Sequence, residues 1–507
     1  MKSFFGLLGS LVSVVWVLFV LITPLLGVWL GSSLVSFYGG PVELAVAGGV
    51  LLFPVLPVLW DARATVKWNR KQQAAPKLIV GKPKKRSLGA FDRIVVRTLI
   101  LNLLFMAGLV VWFPKVAFSA LATRGDWFLL DRQDETSQTI RGAVFASAAG
   151  LEWLHKLANP NPYKKEGDDV PVPESVKPVP VVTPTPPVRR WPVRPTPTPE
   201  PIAAPEPEPE PEAPRWEVGE TTWPRVATVH PVVEAMTAAD EKSLEQVAQH
   251  IAQRERDPFE RVKALHDWVV TRLHYDHDSL QPGMRKPQDA QSVFNHRAGV
   301  CEGYARLMVA LGKASGDKIV YVVGDVREET GEAAGVGHAW NTVEIKGSWY
   351  VIDATWDDPT VDGKPDGIYS TEYLFIPPPL AIFDHRPDDD RWQLLGRPLS
   401  RGDFLRQPFA RPGLARAGLE LVTPDRTRVE LTGDLMLKIN NPGRLYVMAQ
   451  VGPRDSGKME RCGVDNANPV ALTCPLPAHG RYRAIVFTNT ELAGTYRQAA
   501  ALDLIRQ

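Results

Sequence analysis

Cys301, His338 and Asp353 each stand in the local setting that a thiol nucleophile, the base that serves it and the group that orients the base require. Cys301 lies in Gly299-Val300-Cys301-Glu302-Gly303-Tyr304-Ala305, ahead of apolar Leu307, Met308, Val309 and Leu311 among good helix formers, so it is predicted to open a helix. Unsatisfied N–H groups at a helix start favour an anion and with it the thiolate, the reactive form of cysteine. Gly299 and Gly303 would let backbone or substrate come close, as a nucleophile on a tight turn needs.

The histidine and the aspartate are brought together by a predicted hairpin. Gly337-His338-Ala339-Trp340-Asn341-Thr342-Val343-Glu344-Ile345 and Ser348-Trp349-Tyr350-Val351-Ile352-Asp353 have strand composition, and Lys346-Gly347 between them suits a two-residue turn. In that register 345 faces 348 and 340 faces 353, which makes His338 and Asp353 diagonal neighbours, roughly 7 Å apart at Cβ. An imidazole bridges that distance. Asp353 would then fix its tautomer, and the other ring nitrogen would address the Cys301 thiol. A cysteine at a helix start also serves as a small buried hydrophobe, and a strand histidine as a structural residue; the conjunction of all three favours catalysis over that reading.

Three motifs in order, Gly-Val-Cys-Glu-Gly-Tyr-Ala at 299–305, Gly-His-Ala-Trp-Asn at 337–341 and Trp-Tyr-Val-Ile-Asp-Ala-Thr-Trp-Asp-Asp at 349–358, resemble the transglutaminase-like superfamily of papain-type cysteine enzymes. The helix Phe259 to Val270 running into Leu273-His274-Tyr275-Asp276, and Tyr373-Leu374-Phe375 followed by Asp384-His385, are similar to that family as well. Phe404 to Pro408, Gly418 to Val422 and the stretch on to Tyr496 resemble its kyphoscoliosis-peptidase and cytokinesis-protein branch, in which a small β domain follows the catalytic one. The resemblance implies Cys301 as nucleophile, His338 as general base and acid, and Asp353 as orienter. It also implies a peptidase or an acyltransferase acting through a Cys thioester, with a degenerate, purely binding version of the fold as the rival reading.

The Cys301 N–H is one expected oxyanion donor. Trp268 is a tempting second, but its helix carries Val262, Leu265, Val269 and Leu273, a pattern that assigns it to the core. Trp340, Trp356 and Tyr304 are candidates to wall a substrate groove, or else to support the hairpin. Asp357-Asp358 and Asp388-Asp389-Asp390 lack the glycine-turn spacing of a calcium loop and read as solvated charge, and His274 and His277 lack a zinc ligand set. No metal or cofactor is expected.

The elements around this core are set by composition. With 507 residues and a net charge of +1, the chain is long enough for about three units and is no bulk nucleic-acid binder. Apolar runs at about 4–30, 42–60 and 94–113 predict three transmembrane helices within an anchor over 1–115. Asp61 to Asp92 carries nine Lys or Arg and Gly31 to Pro41 none, which places the N-terminus in the cytoplasm and the domains after the third helix outside the inner or plasma membrane, in the periplasm of a bacterium. Cys462 and Cys474 are then disulfide candidates and Cys301 the odd thiol; reduced core cysteines are the alternative.

Residues 116–170 form a juxtamembrane segment with an amphipathic stretch over Ile140 to Leu157. In 171–214, 17 of 44 residues are proline, a polyproline II spacer reaching up to roughly 130 Å. The fold predicted beyond it is an α+β papain-like, transglutaminase-like core over 225–400 and a β-sandwich over 405–507. The expected partners are the membrane and a protein or peptide substrate in the cell envelope.

Overall fold

The computed structural model describes residues 2–38, 40–73, 88–112, 114–129, 132, 134–158, 160–165, 179–182, 216–281, 283–327, 336–360, 369–410, 412–426, 428–454, 456–465 and 469–506. They divide into two compact units, Met1–Asn159 and Pro160–Gln507.

The first unit is helical. Lys2–Phe37, Val42–Gln73 and Ala90–Trp112 cover the three expected spans, followed by Pro114–Arg124, Glu135–Ala149 and Glu152–Ala158. Among the described residues, Val42–Lys71 alone is long and apolar enough to cross a membrane, and the apolar segment Ile22–Phe37 is shorter. Arg93 on the third helix donates to Asp61 on the second at 2.9 Å, which ties the two helices together. The expected amphipathic stretch is two helices, broken at Gly150-Leu151. The first of these is capped by Asp134, which accepts from Ser137 N at 3.0 Å.

In the second unit, local signals set the core of helices packed on a sheet. Ser243 caps Leu244–Arg254; Asp257 caps Pro258–Arg272, with proline at the first helical position, where its missing N–H costs nothing. The apolar faces of these helices (Val247, Ile251, Val262, Leu265, Val269) pack with Leu307, Met308 and Leu311 of the helix Cys301–Ser315 into one core. Trp268 is fully buried there, stacked on Phe294 at 5.5 Å with the Arg297 guanidinium 4.5 Å over its ring.

The Cys301 helix lies on a five-stranded sheet of order His385–Pro387, Lys318–Val326, Val336–Ile345, Ser348–Ile352, Leu374–Ile376, antiparallel throughout. Ile345 pairs with Ser348, and Lys346 and Gly347 both have positive φ (50° and 79°), as a type I′ turn demands. The second hairpin strand ends at Ile352, because Asp353 leaves the ladder to cap the short helix Ala354–Asp357. At Gly324 a Cβ would lie 2.1 Å from the Arg386 carbonyl oxygen and 2.6 Å from Trp340, so only glycine lets the edge strand close here.

The expected spacer needs correction at one point. Val181 and Val182 pair with Val218 and Glu217, and Val179 is buried in the core of this unit, so three valines within the proline-rich stretch dock where an extended free spacer was expected. Apolar side chains in a strand pair outweigh the polyproline bias there. Residues 171–178 and 183–214 of that stretch lie outside the described residues.

The C-terminal region is β-rich. One sheet runs Phe409–Ala410, Arg497–Arg506, Gly480–Asn489, Tyr446–Pro453, Glu460–Arg461, with Arg428–Leu431 added in parallel to Arg497–Arg506. A second runs Glu420–Thr423, Leu435–Asn440, Val470–Cys474, Gly463–Asp465. Alternate residues from both, among them Leu437, Ile439, Leu472, Ala449, Val486 and Leu502, share one core. Cys462 and Cys474 are bonded, 12 positions apart. A closed loop of that size stabilises by about 3 kcal/mol through the entropy of the unfolded chain. The Cys462→Ser/Cys474→Ser double variant is expected to lose stability of about that size in urea titration of the β region, and an unchanged midpoint would show the bridge to be dispensable.

Candidate active site

Three elements converge on Cys301. The turn before it is held by Gln288, whose Oε1 accepts from Val300 N at 2.9 Å. A Cβ at Gly303 would sit 2.6 Å from that same oxygen, and one at Gly299 3.3 Å, which gives both glycines a packing reason. Val300 is the N-cap and Cys301 the first helical residue, so the Cys301 N–H is among those the helix leaves without an intrahelical acceptor. The sheet is tied to this helix by Asn341, whose Nδ2 donates to Ala305 O at 3.0 Å and Val320 O at 3.1 Å.

His338 leans from its strand so that Nε2 donates to Asp353 Oδ2 at 2.7 Å, while the ring also hydrogen-bonds the Cys301 thiol, leaving Nδ1 for the sulfur. Burial of the imidazole works against its charged form, but the Asp353 carboxylate and the Cys301 sulfur outweigh it and push His338 up to about 10. Asp353 Oδ1 accepts from Thr355 N at 2.8 Å as a helix cap, leaving Oδ2 for the histidines. Burial would raise Asp353, yet His338 and His385 hold its carboxyl well below the usual carboxylate range.

His385 was part of the sequence resemblance without a role, and the structure supplies one. Its Nε2 reaches the same Asp353 Oδ2 at 3.0 Å, its Nδ1 meets Asp384 Oδ1 at 2.7 Å, and Tyr373 Oη donates to Asp384 Oδ2 at 2.6 Å. Burial disfavours its imidazolium, and Asp384 and Asp353 together raise it. The line Cys301–His338–Asp353–His385–Asp384–Tyr373 is continuous and buried. His338, Asp353 and His385 are also close enough to hold a metal ion among them; both Nε2 atoms, however, point their protons at one carboxylate oxygen, which makes them donors and not free lone pairs.

Of the groove candidates, Trp356 is partly exposed, its ring 5.8 Å from that of His338 and 4.4 Å from that of His385. Trp340 and Tyr304 do not wall an open groove. Trp340 is buried against His338 and His385, where Gly324 gives its large ring space in the core. Tyr304 is buried and donates to Asp358, which its helix position aims inward. Asp357 and Asp358 are likewise buried and bonded, not solvated: Asp357 accepts from Tyr373 N at 3.0 Å and meets His266 at 3.1 Å. Sequence alternation cannot reveal such inward acids, because their partners come from distant segments.

Two neighbours of the thiol escaped the sequence reading. Glu302 is buried beside Cys301; burial would raise its carboxyl, but Lys165, Arg285 and Arg306 lower it. Tyr163, from the segment expected to lie at the membrane, hydrogen-bonds the Cys301 thiol through its hydroxyl, and Cys301 is only 1% exposed. No pattern in the chain links 163 to 301.

The sequence profile of the Transglutaminase-like superfamily matches residues 245–354. Kyphoscoliosis peptidase of Mus musculus is 27% identical over 49% of this chain and 39% of its own length, and that of Homo sapiens 27% identical over 37% and 29%. The chain thus spans under half the length of these relatives. A transglutaminase of known structure is 20% identical over 24% of this chain and 34% of its own, with a TM-score of 0.19.

The charge state of His338 has a stability consequence. Its folded value of about 10 lies above the ordinary 6.5, so the pairing contributes stability that is complete below about pH 6.5 and lost as pH rises through about 10. Urea midpoints are expected to show the advantage of wild type over His338→Gln at its largest near pH 6 and shrinking toward pH 10; an advantage that grows with pH would contradict the ion pair.

Proposed function

With residues 245–354 a domain of the transglutaminase-like superfamily and kyphoscoliosis peptidases among its relatives, we propose that this chain is a cysteine-type peptidase working through a Cys301–His338–Asp353 triad. The observation that carries the reading is the buried His338 imidazole, bonded to Asp353 at 2.7 Å on one side and to the Cys301 thiol on the other.

The Cys301 thiolate adds to the carbonyl carbon of a peptide or side-chain amide, and the oxygen takes the negative charge beside the Cys301 N–H. As the C–N bond breaks, His338 passes its Nδ1 proton to the departing amine, leaving an acyl thioester on Sγ. Water then gives its proton to the same nitrogen and attacks; the thioester opens to a carboxylic acid, and thiolate and imidazolium return. Asp353 stays ionised throughout and holds the imidazole in the tautomer with the proton on Nε2. An amine in place of the water would make the same site a protein-glutamine acyltransferase.

The setting we propose is an extracytoplasmic one, with three membrane helices at 4–30, 42–60 and 94–113 and the catalytic region outside, acting on envelope proteins or peptides. The apolar helix Val42–Lys71, the basic loop and the Cys462–Cys474 disulfide support it.

The test is a mixed peptide library offered to the full-length protein in ¹⁸O-water with a biotinylated primary amine. Because Tyr163 covers the thiol, the Tyr163→Gly chain is run beside wild type. Hydrolysis puts ¹⁸O into new carboxyl ends, and transfer puts biotin on glutamine. Either activity should fall on the order of 10⁴-fold in Cys301→Ala and in Asp353→Asn. Turnover that survives Cys301→Ala, or its absence from both chains, would overturn the proposal in favour of a binding module.

The pH profile follows from His338. The imidazolium needed to protonate the leaving amine is held up to about 10, so the alkaline limb of kcat/KM is expected near pH 10. In His385→Gln, which removes one of the two cations on Asp353 but leaves the triad, the acid limb set by protonation of Asp353 is expected to move upward while the fold is retained. A limb that does not move would remove His385 from the positioning network.

A further inference from the structure

Pro160–Lys165 lies against Cys301, with the Tyr163 hydroxyl hydrogen-bonded to its thiol. Asn161 Nδ2 donates to Gly324 O at 2.8 Å, fastening the segment to the strand beside His338. Asn161 Oδ1 accepts from Tyr163 N at 3.0 Å, and Asn161 O accepts from Lys164 N at 3.2 Å, so the segment is a turn that presents the Tyr163 side chain. The Tyr163 carbonyl accepts from Tyr321 Oη at 2.9 Å. Pro162 lies against Gly337, where a Cβ would be 2.8 Å from its Cδ.

The contacts that follow are those of a ligand. The Tyr163 ring is buried among Val300, Cys301, Ala305, Tyr321 and Ala339, with the Arg285 guanidinium 5.2 Å over it. Arg285 is in turn held by Glu302 at 2.5 Å, and Lys165 pairs with Glu302 directly. The segment therefore touches the nucleophile, the acid next to it and the strand of the base. The Asn161 side chain and the Tyr163 carbonyl are bonded to the sheet, and the Tyr163 ring and the Lys165 cation to the residues around the thiol, the contacts that a bound peptide turn would make.

We propose that Pro160–Lys165 is an intramolecular occupant of the substrate cleft, closing the site at rest, and that the cleft takes peptides in which an aromatic residue is followed by basic ones, the ring over Cys301 and the cation on Glu302. The substrate class rests on the catalytic reading above, whereas the occupancy does not. Burial is the energetic argument: a carbonyl carbon cannot reach a sulfur that is 1% exposed until Tyr163 leaves.

The experiment reads iodoacetamide alkylation of Cys301 in the full-length chain by mass spectrometry. Tyr163→Gly is expected to speed alkylation about tenfold or more, and Asn161→Ala, which loosens the turn without touching the pocket, to speed it less. The peptide acetyl-Asn-Pro-Tyr-Lys-Lys-amide, added to Tyr163→Gly, should slow it again, and its Tyr-to-Gly or Lys-to-Glu counterpart should not. Equal rates in wild type and both variants, with unchanged melting temperatures, overturn the occupancy. Faster alkylation with no protection by the peptide overturns the substrate class. Adding His338→Ala to each chain separates the readings: a thiol that Tyr163→Gly exposes but His338→Ala does not slow would sink the triad while leaving the occupancy standing.

Discussion

The site depends on what the buried carboxylate of Asp353 is bonded to. One of its oxygens ends a strand by capping the next helix, and the other receives two imidazoles. The cap is what makes the second task possible. The strand ends at Ile352, and in its capping conformation Asp353 gives one oxygen to the helix N–H and turns the other to His338 and His385 together. The hairpin register and the edge strand at His385 thus become parts of one arrangement, and a bulge in either hairpin strand would have moved His338 to the other face.

A second network backs the first. His266 lies between Asp267 and Asp357 at 3.2 and 3.1 Å, raised to about 9 because both carboxylates outweigh its burial. Asp357 belongs to the short helix that Asp353 caps, and it also takes the backbone N–H of Tyr373, whose phenol donates to Asp384. The two networks therefore meet at Tyr373. A shift of the Pro258–Arg272 helix, which carries His266, would be felt at the residue that orients His385, so helix packing and triad geometry are coupled through named hydrogen bonds.

Much of this was legible in the chain because the signals are local. The Lys346-Gly347 turn set the register, the apolar run after Cys301 marked the helix that it opens, and apolar spacing placed Trp268 in the core. What was illegible needed contacts between distant segments. Asp357 and Asp358 looked like solvated charge because acidic pairs usually are, and only a buried histidine and two tyrosines from elsewhere make them core residues. Trp340 and Tyr304 looked like groove walls because they flank the motifs, but strand pleat and helix phase turn both inward. Val179 and Tyr163 lie in stretches whose average composition argues against packing, and in each a few apolar atoms decide.

The cost of the network argues for its purpose. Burying five ionisable groups in a chain from His338 to Tyr373 sacrifices solvation that pairing recovers only in part, and apolar residues of the same volume would commonly give a more stable core. The fold adds further expense at Glu302, a buried acid whose three cations come from separate segments, Lys165, Arg285 and Arg306. A scaffold needs neither arrangement to hold its shape, since Asn341 and the helix faces already join helix to sheet. The catalytic role proposed above would need both, because a charged imidazole beside a buried thiol is useful only if its protons are fixed in direction before the substrate arrives.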